Sequence, residues 1–430
     1  MSTVVKTKNQ TIKRSDKRRK EKAPKKPIWQ KLRQVFSLHP KSDPLITLCI
    51  ILLTLCGTIM IVSTNVGETT TNSNVVLITL IRQTMYLVAS FLCMWFANRM
   101  FRFKWIARWE NAIVLISFVA MLVPLLFTGS GGSYAWIRLP GGVTIQPAEF
   151  AKPVLIVICA TSLYRAHQNP QMTQKWQILF RKPMICYFLL MVGILLQRDI
   201  GTGAIISTIF FACLIIPTYP GMARFQKVLK RIVMISIVAF VILFWVTDLG
   251  ISILEQTPFS HIATRIANAK NPYNDVYGQG YQPANALYGI ASSGFFGKGI
   301  GGSMRKYGYL TQADNDYIFA VIMEETGIFG LILLCILYGL LLYRLFFYAF
   351  KTQEMAYKVI LGGTGTYLFI HFFLNVGGVS GLIPSTGVPL LFISSGGSSL
   401  MACFLTMGIA QQCISQIRLK EMTNHAHRSW

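Results

Sequence analysis

The sequence is poor in charge. Only 13% of its 430 residues are Asp, Glu, Lys or Arg, where a soluble chain carries about 25%. Acidic residues are scarce, 16 against 41 Lys and Arg. Cysteine is missing from every long hydrophilic stretch: all nine, from Cys49 to Cys413, fall inside or at the edge of apolar runs. That placement excludes a disulfide framework and a CxxC metal site and makes them small buried apolar residues. What is abundant is hydrophobic. Apolar residues make up 53% of the chain and mean hydropathy is +0.49. Apolar runs of about 20 residues recur, each long enough to cross a bilayer. The reading is an all-α polytopic integral membrane protein.

The formal net charge of +25 does not point to nucleic acid. Its densest block, Lys13–Lys26, lies just before the first apolar run, and the rest clusters in short loops. The positive-inside rule and attraction to anionic headgroups account for that placement. Ten spans are expected, at about 45–63, 77–97, 110–128, 147–164, 184–198, 201–217, 231–249, 317–347, 357–379 and 389–414. Every second loop is basic: Arg99 to Arg108, Arg165 to Lys182, Arg224 to Arg231, and Arg344 to Lys358. Both termini are therefore expected on the cytoplasmic side.

This divides the chain into a basic tail (1–43), a ten-span membrane domain (44–416) and a cytoplasmic C-terminal tail (417–430). The basic tail is too long for an ordinary signal peptide, and no small-residue cleavage site follows span one, so that span is expected to stay as an anchor. Within the tail, residues 27–38 put Ile28, Trp29, Leu32, Val35 and Phe36 on one helical face, the pattern of an interfacial helix. One large extracytoplasmic loop, 251–315, separates spans seven and eight. Its aromatic content argues for structure rather than disorder, and loops of that length are usually functional when ordered.

Ionisable groups near the membrane mark sites because burying them is costly. Glu149 and Lys152 stand i, i+3 at the start of span four, as a site or as an ion pair that permits burial. Asp199 lies between spans five and six. Asp316 opens span eight, with Glu324 and Glu325 about two turns later. Asp199 and Asp316 read equally as helix caps. The segment Asn375–Ser399 is different in kind. Pro384 and Pro389 break any helix, and broken backbone in lipid survives only where protein or a water-filled cavity satisfies it. The expected topology gathers Glu149, Lys152, Asp316 and this segment near the outer face.

The segment reads Asn375, Gly381, Leu382, Pro384, Gly387, Pro389, Ile393, Ser394, Gly396, Gly397, Ser398, Ser399. In this it resembles the SEDS family (shape, elongation, division and sporulation), which includes FtsW, RodA and SpoVE. Other motifs follow in family order: Trp136-Ile137, Gln146 to Lys152, Gln197 to Thr202, Gly280-Tyr281-Gln282, Gly297-Lys298-Gly299, Asn315 to Ala320 and Glu324 to Gly327. The likeness covers about residues 45–415. It departs at Ser395, where the family usually has Tyr, at Arg198 for Pro, and at Ala135, where a basic residue commonly precedes Trp-Ile. Thr311 to Asp314 replaces the usual tetrad before the Asp316 motif.

The resemblance implies a peptidoglycan glycosyltransferase that polymerises lipid II at the outer face of the cytoplasmic membrane. Asp316 would be the general base on the acceptor 4-hydroxyl, with inversion at the donor anomeric carbon and release of undecaprenyl diphosphate. Lys152, with Arg138 or Arg265, would hold the pyrophosphate, since cations suit phosphate oxygens. Glu149 would orient Lys152, and the backbone from Ser394 through Gly396, Gly397 and Ser398 would offer further donors. Trp136, Gln282 and Asp199 complete the expected substrate contacts. Metal involvement is left open: a divalent cation, Mg or Mn, could bridge the pyrophosphate to a carboxylate, though the chain shows no dedicated metal-ligand cluster. The implied partners are a class B penicillin-binding protein and other divisome or elongasome membrane proteins. The basic tail leans toward the division member. A lipid II flippase and a non-catalytic division scaffold are the rival readings, because ten spans and a broken helix suit transport as well.

Overall fold

The computed structural model describes residues 38–39, 41–67, 74–129, 133–139, 144–257 and 260–428. Residues 1–37 of the basic tail, with all but the last residue of the interfacial helix expected over 27–38, lie outside them. In the body the helices follow one another as α1 (Pro44–Val66), α2 (Val75–Met100), α3 (Phe103–Leu122), α4 (Pro147–Gln168), α5 (Trp176–Leu179), α6 (Arg181–Gln197), α7 (Ile200–Ile215) and α8 (Ala223–Val241). Then come α9 (Leu249–Glu255), α10 (Ser260–Lys270), α11 (Tyr281–Ala291), α12 (Ile318–Lys351), α13 (Met355–Val379) and α14 (Gly397–Arg428). A two-residue hairpin, β1 (Ile137–Arg138) with β2 (Thr144–Ile145), pairs Ile137 with Ile145 ahead of α4.

Among the described residues, eight helices are long and apolar enough to cross a membrane. Each corresponds to an expected span. The fifth and sixth expected spans are instead α6, of 17 residues, and α7, of 16. At 1.5 Å per residue each reaches roughly 25 Å, short of the ~30 Å hydrocarbon core. They form a tight hairpin because Arg198 takes the left-handed conformation (φ 57°) at the end of α6. That position usually falls to glycine. The tenth expected span begins later than its sequence suggests, at Gly397 rather than 389, because residues 381–396 do not form a helix. Its helix also runs through the expected C-terminal tail to Arg428.

Burial sorts the helices. The span of α4 is 83% buried and that of α14 is 78%, against 17% for α2 and 6% for the segment Pro220–Val246 that contains α8. The centre is therefore α4 and α14, with α13 packed beside α4. Outer helices show apolar faces that lipid would cover. Residues 251–315, expected as a large loop, carry most of α9 together with α10 and α11 before a run of turns.

Helix α12 is broken at Gly327 (φ 65°, ψ −157°). The freed backbone groups are taken up by the loop 294–299. Lys298 N donates to Glu324 O (2.9 Å) and Gly299 N to Glu325 O (3.0 Å), while Ile328 N donates to Gly294 O (3.3 Å) and Phe329 N to Phe295 O (3.1 Å). Beside them Lys298 pairs with Glu324 (2.6 Å) and Lys306 with Glu325 (3.4 Å). The two glutamates thus anchor this loop. At the other end of α12, Arg344 pairs with Asp43, which also holds Arg418 of α14 (3.0 Å). Burial alone would raise the Asp43 carboxyl, but hydrogen bonding from Arg344 holds it below the ordinary value.

Candidate active site

Asp316 sits in the turn entering α12, and its placement follows from the broken segment. Asn375 Nδ2, on the last turns of α13, donates to Asp316 O (2.9 Å) and to Val388 O (2.8 Å). Ser394 Oγ donates to Asn315 O (2.8 Å) and Ser395 N to Asp314 O (3.0 Å). Residues 385–388 therefore form one wall of a cleft of about 320 Å³ whose lining includes Asp316, Asn375, Arg265 and Gln282. Gln282 itself hydrogen-bonds Thr311.

The carboxylate is not a helix cap. The cap residue of α12 is Tyr317, with no side-chain capping bond. Asp316 Oδ1 is buried and accepts no hydrogen bond from any described residue. Burial, then repulsion from Asp314, push its carboxyl up to about 6, with Arg265 opposing. A carboxylate with that value is ionised at neutral pH yet basic enough to take a proton.

Asp199 shows the opposite arrangement. It caps α7, accepting from Thr202 N (3.2 Å) and Thr202 Oγ1 (2.7 Å), and takes a third bond from Gln146 Nε2 (2.9 Å). For Asp199 the capping alternative is the one the geometry realises.

Glu149 and Lys152 form a second, closed cluster. Their ion pair is 2.6 Å and Lys152 is 0% exposed. Lys152 Nζ also lies 2.9 Å from His371 Nε2, and His371 Nδ1 lies 3.3 Å from Pro389 O. An ammonium can only donate, so Nε2 accepts and the imidazole proton sits on Nδ1, facing the Pro389 carbonyl. The pair thus touches the broken segment through His371 and is absent from the lining of the Asp316 cleft. His371 escaped the sequence reading. Its signal was its place four residues before Asn375, one turn away on the same face of α13.

The remaining expected residues surround the hairpin. Ser398 Oγ accepts from Gln146 N (3.1 Å) and donates to Thr144 O (3.2 Å), fastening β2 to the start of α14. Trp136 and Arg138 lie at this hairpin, with Arg138 exposed. Gly397 lies where a Cβ would press on the Tyr86 ring (2.8 Å), and Gly396 O accepts from Ser399 Oγ (2.9 Å). Of the expected site residues the structure brings together Asp316, Arg265 and Gln282 on one cleft. Lys152, Glu149, Arg138, Trp136, Asp199, Ser394, Gly396, Gly397 and Ser398 do not line it. No group of three or more His, Cys, Asp or Glu able to hold a metal occurs among the described residues.

A helical multi-pass membrane protein with a carboxylate-bearing cleft beside a proline-broken segment is the class these features define. The sequence model for the family described as "Cell cycle protein" (FTSW_RODA_SPOVE) matches residues 43–418. The chain belongs to that family, the SEDS proteins. It is 32% identical over 304 residues to the probable peptidoglycan glycosyltransferase FtsW of Bacillus subtilis, covering 70% of this chain and 72% of the relative. To the FtsW of Halothiobacillus neapolitanus it is 28% identical over 410 residues, 92% of each. Stage V sporulation protein E of Bacillus subtilis is 30% identical over 333 residues, 76% of this chain and 84% of that one. In fold it is similar to a chain of a solved peptidoglycan synthase complex (TM-score 0.65, 22% identity, 88% of this chain and 98% of that one). It is also similar to the rod shape determining protein RodA of Thermus thermophilus (TM-score 0.55, 21% identity, 87% and 96%).

Proposed function

We propose that this protein polymerises lipid II into glycan strands at the outer face of the cytoplasmic membrane, in cell division. Asp316 takes the proton of the acceptor 4-hydroxyl as that oxygen attacks the donor anomeric carbon. Configuration inverts there, and undecaprenyl diphosphate leaves. The observation that carries this reading is the Asp316 carboxylate itself. It is raised to about 6, free at Oδ1 of any described donor, and set on a cleft that Arg265 shares. Arg265 is the cation suited to the leaving pyrophosphate. The buried Lys152–Glu149–His371 cluster supports the wall that positions Asp316.

The named activity of the FtsW relatives supports the same chemistry. The fold shared with a chain of a peptidoglycan synthase complex supports a class B penicillin-binding protein as partner. A divalent cation at the pyrophosphate is tested by chelator titration, and no step above depends on it. Purified protein given labelled lipid II tests the whole reading. Glycan chains are the expected product. Lipid movement without chains would instead make it a flippase, and neither result would leave it a scaffold.

A further inference from the structure

Three residues that line the cleft each carry a buried side-chain oxygen with no hydrogen-bond partner among the described residues: Asp316 Oδ1, Asn375 Oδ1 and Thr386 Oγ1. Buried polar atoms are nearly always paired, so three together on one wall form a pattern. The Asn375 amide cannot be turned to cure it. Its Nδ2 already donates to Asp316 O and Val388 O, and a flip would set Oδ1 against two carbonyl oxygens. Asn375 Oδ1 and an ionised Asp316 can only accept, while a threonine hydroxyl can do either. The set calls for a ligand rich in hydroxyl donors.

The neighbouring backbone keeps this wall open. Gly387 (φ 66°) follows Thr386, and a Cβ there would stand 3.3 Å from Asp316 Oδ2. A hard cation also takes oxygen ligands. Against a cation, the guanidinium-bearing Arg265 lines the same cleft, and no metal-holding cluster occurs among the described residues. The cleft, about 320 Å³, is of a size that takes small ligands, roughly 300–1,000 Å³.

We propose that Asn375 Oδ1 and Thr386 Oγ1 form a saccharide subsite that grips hydroxyls flanking the one facing Asp316, and so fix the orientation of the acceptor sugar. This rests on the glycosyltransferase reading and adds to it the residues that bind the sugar. Asn375 and Thr386 are positioning residues for the ligand; the proton goes to Asp316.

The test measures lipid II binding to the full-length protein carrying Asp316→Asn, so that turnover does not intrude. Adding Thr386→Val, which keeps the shape and removes the hydroxyl, weakens binding about 3- to 10-fold, the range of one neutral hydrogen bond. Thr386→Ala gives the same loss, and Thr386→Ser restores binding. Equal affinity with and without the hydroxyl overturns the subsite, as does a serine variant as weak as valine. A loss that appears only when magnesium is added assigns these oxygens to a cation and also overturns it. The parent reading is read separately, from chain formation by the wild-type protein. Chains with unaltered binding sink the subsite alone, and a binding loss without chains sinks the glycosyl transfer alone.

Discussion

At the scale of single residues, environment separates carboxylates that composition cannot. Asp199 and Asp316 look alike in sequence, each just ahead of a helix. One spends its oxygens on Thr202 and Gln146, and the other leaves Oδ1 without a described donor. Asp316 must be ionised to act as a base, and its value is raised to about 6. Polymerisation should therefore fall as pH drops through about 6, along an acid limb that a rate profile on purified protein would display. A limb near 4 would mean that the carboxyl lies in open water. The buried Glu149–Lys152 pair makes a different prediction. Lys152→Met strands the Glu149 carboxylate and should cost about 3–5 kcal/mol of stability, read as a lowered midpoint in thermal unfolding. Adding Glu149→Gln should recover part of it. The pair was legible from its i, i+3 spacing. Its third member, His371, was missed: its one sequence signal is its place a turn before Asn375, and its contact with Pro389 exists only once residues 381–396 are folded.

At the scale of elements, proline was the readable signal and glycine the silent one. Pro384 and Pro389 forecast a broken segment, and residues 381–396 do not form a helix. The break at Gly327 was hidden because the run on either side stays apolar, so hydropathy continues the helix across it. What ends it is tertiary: the loop 294–299 supplies the missing backbone partners. Gly327→Ala should be strongly destabilising. Its φ of 65° disfavours a side chain, and the new Cβ would collide with the Phe295 carbonyl. Limited proteolysis should then cut within 294–303 faster than in the wild type, and equal rates would show that the splice is not needed. The short α6–α7 hairpin was likewise beyond hydropathy, which registers two apolar stretches and not the left-handed turn at Arg198.

At the scale of the whole molecule, the two ends of α12 carry opposite chemistry. Asp316 and its cleft stand at one end. Arg344, with Asp43 and Arg418, stands at the other, ~40 Å along the helix. The alternation of basic loops assigns the Arg344 end to the cytoplasmic side, an expectation that rests on many loops rather than on any one boundary. The cleft was only partly legible. Its carboxylate and Arg265 could be named, but which candidates share its wall depends on how the chain between Pro384 and Ser394 folds back. A single cysteine at position 279, on the lining of the cleft, should react with an impermeant thiol reagent from outside intact cells, and reaction only from inside would invert the topology. The most direct measurement compares the wild-type protein with Asp316→Asn in lipid II polymerisation. Chain synthesis should drop about 10²–10⁴-fold with thermal stability and lipid II binding retained. An Asn protein that polymerises within a few-fold of wild type would contradict the account at its centre.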